Sequence, residues 1–297
     1  MTKSGFVSLI GRPNVGKSTL MNCMLGEKVA ITSSKPQTTR NRIQGVYTKG
    51  NGQIVFIDTP GIHKPVHKLG EYMVEAASRT IGDVDMVLFL VEPGSARRGD
   101  LEILERLKKQ RAEVILVINK IDTITKEALL GVIAAWKDLY EFADIVPVSA
   151  KTGSNTQELL QVLLSRLPEG PFFFPEDMLT DQPERQLVAE LIREKALRLL
   201  QKEIPHGIAV VIDRFAERED KDLIDIDATI ICEKNSHKPI IIGKGGRTLK
   251  EIGSRAREDM EKLLGVKVNL QLWVKIKERW RDSDFLIRNF GFDKKEL

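Results

Sequence analysis

The fold of this 297-residue chain is decided by the stretch Gly11-Arg12-Pro13-Asn14-Val15-Gly16-Lys17-Ser18. It has the spacing GxxxxGK(S/T), follows an apolar run at 6–10 and precedes a helical pattern at 17–25. Glycine lets the backbone wrap around a phosphate without a Cβ in the way, and amide hydrogens at a helix N-terminus attract the anion. The stretch therefore predicts a phosphate-binding loop in which Lys17 reaches the β- and γ-phosphates and Ser18 ligates Mg²⁺.

Around this loop, short apolar runs alternate with longer amphipathic segments. The predicted strands cover 6–10, 53–58, 86–91, 114–119 and 145–148, and the predicted helices cover 17–25, 69–81, 100–111, 126–140 and 156–167. Strands that alternate with helices imply crossover connections, and the fully apolar runs at 86–91 and 114–118 are typical of buried parallel strands. We therefore expect an α/β domain with a doubly wound, mostly parallel sheet over residues 1–168.

The composition is that of a globular protein, with 42% hydrophobic and 30% charged residues and a formal net charge of +4. No apolar run approaches the roughly 18 residues of a spanning helix, which excludes a transmembrane protein. The two cysteines, Cys23 and Cys232, are far apart and form no framework, so a disulfide scaffold is excluded as well. Because no signal-peptide pattern opens the chain, we expect a cytoplasmic protein.

A second motif, Asp58-Thr59-Pro60-Gly61, follows the strand predicted at 53–58. A carboxylate at this point can hold Mg²⁺ through a water molecule, and the amide of Gly61 can sense a γ-phosphate. A solvated turn also fits the pattern DxxG. The motif gains its weight from the phosphate loop beside it.

A third motif, Asn119-Lys120-Ile121-Asp122, ends the apolar run at 114–118. The Asp122 carboxylate can accept two hydrogen bonds from guanine, whereas adenine offers no such pair of donors, so the motif predicts GTP rather than ATP. The stem of Lys120 can lie over the base. The tripeptide Ser149-Ala150-Lys151 follows the next strand, where a backbone amide could bind guanine O6.

These motifs, each at the carboxyl end of a predicted strand, resemble the translation-factor class of P-loop GTPases. Asn14, together with the segment Lys35-Pro-Gln-Thr38-Thr39-Arg40, resembles the Era GTPase family in particular. The resemblance implies that Thr39 is the switch threonine that completes Mg²⁺ and γ-phosphate coordination, with Thr38 as the alternative and a plain loop hydroxyl as another. Asn14 would help hold a monovalent cation such as K⁺, or would only form a turn.

Three groups of candidate site residues follow from the motifs and the resemblance. The catalytic group is Lys17, Thr39 and Gly61, and the magnesium group is Ser18, Thr39 and Asp58. The residues expected around GTP or GDP are Gly11, Arg12, Pro13, Asn14, Val15, Gly16, Lys17, Ser18, Thr19, Asp58, Thr59, Pro60, Gly61, Ile62, Asn119, Lys120, Asp122, Ser149, Ala150 and Lys151.

Ile62 departs from Ras-like enzymes, which have a water-orienting glutamine after this motif. An isoleucine neither donates nor accepts a hydrogen bond, so we expect slow intrinsic GTP hydrolysis. The attacking water must then be positioned by backbone groups, a cation or a partner.

A proline- and phenylalanine-rich stretch, Pro168-Glu-Gly-Pro171-Phe-Phe-Phe-Pro175, interrupts the pattern, and we expect a linker over 169–184. The order that follows over 185–297 is helix, strand, strand, helix, GxxG, helix, strand and a final short helix after Ser283. This order resembles a smaller α+β type II KH domain. The resemblance implies that single-stranded RNA is bound at Gly243, Lys244, Gly245, Gly246, Arg247 and Lys250.

A GTPase domain followed by a KH domain is the arrangement of the Era family. The resemblance therefore implies a GTP-hydrolysing switch that binds the 3′ end of small-subunit rRNA and acts in small ribosomal subunit assembly. It also implies peripheral contact with the inner face of the cell membrane, and we expect a monomer. The alternative is a GTPase that regulates an RNA-modification or signalling complex through a protein-binding KH-like module.

Overall fold

A computed structural model describes residues 1–35, 37–61, 67–80 and 84–292, without the side chains of 78–80. Within these residues the chain forms a six-stranded and a three-stranded sheet. The elements around the first sheet are β1 (Lys3–Ile10), α1 (Lys17–Leu25), β2 (Ile43–Lys49), β3 (Gly52–Asp58), α2 (Lys68–Thr80), β4 (Met86–Val91), α3 (Arg98–Leu107), β5 (Glu113–Ile118), α4 (Lys126–Lys137), β6 (Asp144–Pro147) and α5 (Thr156–Arg166).

The six-stranded sheet has the order β2-β3-β1-β4-β5-β6. β2 pairs antiparallel with β3, and the remaining pairs are parallel. β1 therefore has β3 on one side and β4 on the other, so the connections diverge at its carboxyl end, where open α/β sheets bind ligands. β4 is buried along its whole length, and so is β5 after its first residue. The predicted fold class, a doubly wound and mostly parallel sheet, is confirmed.

Strand β2 was not predicted. Gly45 lies in its middle, and a Cβ at this position would lie 2.6 Å from Leu25 Cδ1 and 3.2 Å from Met21 Sδ of helix α1. Because α1 approaches so closely, position 45 must be glycine. A glycine in the middle of the segment interrupts the alternation of apolar and polar residues by which a strand is predicted from sequence. The edge of β2 is covered, because Val46 N–H donates to the Leu179 carbonyl at 2.8 Å.

The segment between α5 and the next helix contains no further helix or strand. Its phenylalanines contact the first domain: the rings of Phe6 and Phe173 lie 4.7 Å apart, and the amides of Phe173 and Phe174 donate to Gln53 Oε1 at 2.8 and 3.0 Å. The segment is thus packed along the sheet, as its apolar composition suggests. The domain bounds 1–168, 169–184 and 185–297 stay predictions.

The elements of the second domain are α6 (Glu184–Leu199), β7 (Ala209–Glu217), β8 (Leu223–Cys232), α7 (His237–Ile242), α8 (Arg247–Leu264), β9 (Lys267–Ile276) and α9 (Asp284–Asn289). The second sheet has the order β7-β8-β9, with β7 antiparallel and β9 parallel to β8. The apolar side chains of β9 alternate toward helices α6 and α8 in a second hydrophobic core. Ser283 accepts a hydrogen bond from Leu286 N–H at 3.4 Å and begins the final helix, as predicted.

An apolar cluster joins the two domains. Leu69, Tyr72 and Met73 of α2 pack against side chains of the second domain. Among these is Trp280, which is fully buried and donates from its indole N–H to the Gly207 carbonyl at 2.9 Å. Trp280 is therefore a packing residue of this junction, whereas Trp273 is 43% exposed. None of the helices in the described ranges is long and apolar enough to cross a bilayer.

A charged cluster forms a second junction between the domains. The Glu194 side chain of α6 is fully buried and accepts hydrogen bonds from Lys28 Nζ at 2.6 Å and Thr32 N–H at 2.9 Å, both from the first domain. Lys28 Nζ also contacts Asp259 of α8 at 2.7 Å. Burial by itself raises the pKa of Glu194, but the hydrogen bonds from Lys28 and Thr32 outweigh it, so the pKa lies below its ordinary value.

We predict that Glu194→Gln lowers the free energy of unfolding by about 3 kcal/mol, because it removes one partner of a buried ion pair. The matched control is Glu251→Gln in the exposed pair with Arg255, which should change stability by no more than about 0.5 kcal/mol. Urea unfolding at neutral pH measures both. Because the Glu194 pKa is lower in the folded state, the unfolded chain binds more protons, and the stabilisation should be lost as the pH falls below about 4.3. An equal effect of the two substitutions would contradict the assignment.

Candidate nucleotide site and nucleic-acid interface

The predicted phosphate loop connects β1 to α1 at the carboxyl edge of the first sheet. Gly16 has φ 104° and a Cβ there would lie 2.3 Å from Asn119 Nδ2, so both its conformation and its neighbour require glycine. Lys17 Nζ donates to the carbonyls of Gly11 and Arg12 at 3.2 and 3.3 Å. Burial lowers the pKa of Lys17, and Asp58 opposes this effect. The Lys17 ammonium group is thus held at the loop by two neutral carbonyls, and a phosphate anion would bind it more strongly than they do.

A cavity of about 560 Å³ lies over the loop. Its lining includes predicted residues of the loop and the later motifs, namely Pro13, Asn14, Gly16, Lys17, Ser18, Thr19, Thr39, Gly61 and Lys120. It also includes Gln37 and Thr38 of the segment at 35–40, and residues that no motif pointed to, namely Ile31, Thr32, Ser33, Ser34 and Arg198. Arg198 belongs to helix α6 of the second domain, and no motif in the sequence indicates that it faces this cavity.

The three predicted magnesium ligands are brought together by the fold. Ser18 Oγ donates to Asp58 Oδ2 at 2.5 Å, Thr39 Oγ1 donates to the same oxygen at 3.1 Å, and the two hydroxyls lie 2.8 Å apart. Asp58 Oδ1 is buried and has no hydrogen-bond partner among the described residues. Burial raises the pKa of Asp58, although Lys17, Ser18 and Thr39 oppose this. A buried carboxylate with an unpaired oxygen beside two hydroxyls suits a hard divalent cation such as Mg²⁺.

The structure distinguishes the two candidate switch threonines. Thr39 Oγ1 points to Ser18 and Asp58, whereas Thr38 Oγ1 donates to the Lys35 carbonyl at 2.7 Å within its own loop. Thr39 is therefore the residue in contact with the proposed magnesium site. Ile62 lies outside the described residues.

Several residues predicted to surround the nucleotide have side chains that do not line the cavity and that contact other parts of the domain. The Arg12 side chain donates to Asp100 at 2.7 Å, and the Arg12 carbonyl accepts from Lys17 Nζ at 3.3 Å. Val15 and Pro60 are buried in the domain, and Thr59 Oγ1 donates to the Leu9 carbonyl at 3.0 Å. These side chains hold the loop and the end of β3 in place and do not line the cavity.

The predicted guanine-binding residues form one connected group. Asn119 Nδ2 donates to the Val15 carbonyl at 2.8 Å, and Asn119 Oδ1 accepts from the amides of Lys120 and Ala150 at 2.8 and 2.9 Å. Asp122 is exposed and accepts from Ser149 Oγ at 2.6 Å, which orients its carboxylate. Of the tripeptide in which a backbone amide could bind guanine O6, the Ala150 amide is thus bonded to Asn119, and Lys151 is exposed beside it. Asn119 ties the third motif to the phosphate loop.

Lys120 and Asn14 also connect the motifs. Lys120 Nζ donates to the Asn14 carbonyl at 2.8 Å and to Glu92 at 2.5 Å. Asn14 Nδ2 donates to the Ser34 carbonyl at 2.9 Å, which leaves its side-chain oxygen as the group that would contact a monovalent cation. Nothing in the sequence pointed to Glu92, because a lone glutamate after a buried strand carries no motif.

The GxxG loop joins α7 to α8 in the second domain. Gly243 has φ 76°, and a Cβ there would lie 2.3 Å from Thr248 Oγ1, so this position requires glycine. Gly245 and Gly246 also have positive φ, 61° and 77°. Lys244, Arg247 and Lys250 are exposed around the loop. A groove of about 400 Å³ runs beside it, lined by Gly246, Leu249, Lys250, Gly253, Ser254, Arg257, Leu270 and Leu272.

The groove has the features of a single-stranded nucleic-acid site. Its floor is apolar, its rim carries Lys250 and Arg257, and exposed backbone at the glycines allows close approach of a phosphate. Arg257 was not predicted, although it lies on the same face of α8 as Lys250, seven residues or about two turns further along, which a helical pattern would have revealed.

Comparisons with known proteins match both parts of the chain. The family model described as "50S ribosome-binding GTPase" matches residues 6–120, and the one described as "KH domain" matches residues 203–281. GTPase Era of Alkaliphilus metalliredigens is 56% identical over 292 residues, covering 98% of this chain and 99% of the relative. GTPase Era of Clostridioides difficile is 55% identical over 297 residues, covering 99% and 100%.

Two solved structures are similar over almost the whole chain. One is Era in complex with MgGDPNP and nucleotides 1506–1542 of 16S ribosomal RNA, at 44% identity and a TM-score of 0.95, covering 98% of this chain and 99% of that chain. The other is a variant of Aquifex aeolicus Era bound to GDP·AlF4⁻, with the same identity, TM-score and coverage. With the phosphate loop, the guanine-binding group and the GxxG loop all inside these matches, the chain belongs to the Era family of GTPases.

Proposed function

We propose that this protein is a GTP-hydrolysing switch that binds single-stranded RNA at the 3′ end of small-subunit rRNA and acts in small ribosomal subunit assembly. The observation that carries the proposal is the basic groove beside the GxxG loop on a chain that also has a cavity over its phosphate loop. A relative of 44% identity carries MgGDPNP and nucleotides 1506–1542 of 16S ribosomal RNA over the same fold.

In the proposed nucleotide site, each residue has a role that its contacts support. Lys17 pairs with the β- and γ-phosphates, Asp122 selects guanine, and the Gly61 amide contacts the γ-phosphate. Ser18, Thr39 and Asp58 would hold Mg²⁺, which, when bound, neutralises charge on the phosphate oxygens. The side chain of Ile62 cannot orient water, so intrinsic hydrolysis is slow and depends on other groups.

The two segments that would respond to a γ-phosphate both contact the second domain. The loop that carries Thr39 bonds to α6 through Thr32, and helix α2 after Gly61 packs on Trp280. GTP binding would therefore change how the domains meet and thereby alter RNA binding. A cytoplasmic location is part of the proposal, while peripheral membrane contact and a monomeric state stay predictions.

We predict that Asp122→Asn changes the preferred base from guanine to xanthine, because an amide can donate to the oxygen that xanthine carries in place of the 2-amino group. Competition binding with GDP and XDP measures the change, and we expect GDP affinity to fall at least about 100-fold because a buried donor pair loses its acceptor. Asp138→Asn, at an exposed helix end, is the matched control and should bind GDP normally. Unaltered guanine preference in Asp122→Asn would refute the base assignment.

We predict that K⁺ stimulates GTP hydrolysis relative to Na⁺, and that Asn14→Ala removes the difference. The amide oxygen of Asn14 would coordinate the larger, more easily dehydrated cation against the phosphates. Phosphate release is measured in KCl and NaCl at equal ionic strength. Equal wild-type rates in the two salts would disprove a cation role for Asn14.

We predict that Lys244→Glu weakens binding of a single-stranded RNA and flattens its salt dependence, because a phosphate contact is replaced by repulsion. Lys262→Glu is the matched control, since it makes the same charge change on exposed α8 surface 15 residues from Arg247, about 22 Å along the helix. Fluorescence anisotropy over a range of salt concentrations measures both. If the two variants bind alike, the groove is not the RNA site, and the protein-binding alternative gains support.

A further inference from the structure

The loop that carries Thr39 is bonded to the second domain on both sides of that residue. The Thr38 carbonyl accepts a hydrogen bond from Arg193 Nη2 of helix α6. On the other side, Arg40 Nη1 donates to the Ile208 carbonyl at 2.6 Å, and Arg40 Nη2 donates to the His206 carbonyl at 3.0 Å. Between these two attachments, the Thr39 hydroxyl points into the proposed magnesium site.

Packing alone does not account for an arginine at position 40. Its side chain is 1% exposed, its Nε is buried without a partner among the described residues, and its hydrogen bonds go to carbonyls rather than to a carboxylate. Its guanidinium lies 5.9 Å from the centre of the Trp280 ring. Because a buried charge is costly and an apolar side chain would fill the space without that cost, the two carbonyl contacts are the feature that requires arginine.

Arg193 is held just as firmly on the side of the second domain. It is 1% exposed, and its Nε and Nη2 donate to the two carboxylate oxygens of Glu190 at 2.7 and 2.5 Å. This paired contact fixes the plane of the guanidinium, so that Nη2 also reaches the Thr38 carbonyl. The Glu190 charge also stabilises Arg40, which Arg193 by itself would repel.

We propose that Arg193 and Arg40 are positioning residues that hold Thr39 in the magnesium site, so that the second domain helps to build the GTP-bound state of the first. Ordering a loop costs conformational entropy. Here the contacts with the second domain order the loop before the nucleotide binds, so nucleotide binding does not have to supply that free energy. Since Thr39 has a role only when a γ-phosphate is present, the two arginines should favour GTP over GDP. This inference rests on the function proposed above.

The first test is Arg193→Met, which keeps the length of the side chain and removes its donors. Affinities for a non-hydrolysable GTP analogue and for GDP, each with Mg²⁺, are measured by competition with a fluorescent guanine nucleotide. We expect the analogue to bind about tenfold more weakly, the effect of one lost hydrogen bond from a charged group, while GDP affinity stays unchanged. Unchanged affinity for the analogue, or an equal loss for both nucleotides, would overturn the proposal.

The matched control is Arg185→Met. Arg185 lies on the same helix and also donates to carbonyls, those of Ile212 and Asp213 at 3.2 and 3.4 Å, but both belong to its own domain. Its preference for the GTP analogue over GDP should equal that of the wild type. If it loses the same preference as Arg193→Met, the effect comes from α6 in general and the proposal fails.

A double-mutant cycle separates positioning from general destabilisation. If Arg193 acts through Thr39, adding Arg193→Met to Thr39→Ala should cause no further loss of analogue affinity, whereas independent effects would add and would contradict the proposal.

Arg40→Lys keeps the charge but cannot bond both carbonyls, and it should show the same selective loss. If thermal unfolding shows that Arg40→Lys does not fold, the Arg193 cycle decides. Failure of the wild type to bind either nucleotide would refute the proposed function itself, which distinguishes the two.

Discussion

The buried carboxylate of Asp58 is the constraint on which the site depends. It lies at the end of β3, in surroundings that disfavour its charge, and it is compensated by Ser18 and Thr39 hydroxyls and by the Lys17 ammonium group. These partners come from α1 and from the loop before β2, so a single charge draws three parts of the chain to one edge of the sheet. The oxygen that remains unpaired is the one that a divalent cation would satisfy.

The second domain extends this arrangement instead of standing apart from it. Glu194 bonds to Lys28 and Thr32, Arg193 bonds to Thr38, and Arg40 reaches back into the second domain. Polar contacts of this kind are directional and weaken steeply when their geometry changes, whereas an apolar cluster would adapt. Burying these polar and charged groups costs free energy, but their directional contacts make the interface sensitive to the state of the nucleotide site.

The predictions from sequence succeeded where chemistry is local. The phosphate loop, the cap at Ser283 and the GxxG turn depend on residues next to one another, and each appears at its predicted place. The predictions failed where a residue far away in the sequence determines the structure. Strand β2 was not predicted because helix α1 requires a glycine at position 45. The contact of the Thr38 carbonyl could not be foreseen because Arg193 follows Thr38 by 155 residues. The contact of the Ala150 amide with Asn119 is of the same kind, because the two residues lie 31 positions apart.

The amino-acid sequence thus determined the kind of chemistry, because spacing along the backbone sets which groups a phosphate or a guanine base meets. The roles predicted for Lys17, Ser18, Asp58 and Asp122 came from their motifs alone. The folded chain decided that the Thr39 hydroxyl, and not that of Thr38, points to Asp58. It also decided the burial of Trp280 and the alignment of Arg40 with the carbonyls of His206 and Ile208. Thr38 and Thr39 are identical in chemistry and differ only in where their hydroxyls point, and that orientation is set by the elements that pack on either side of the loop.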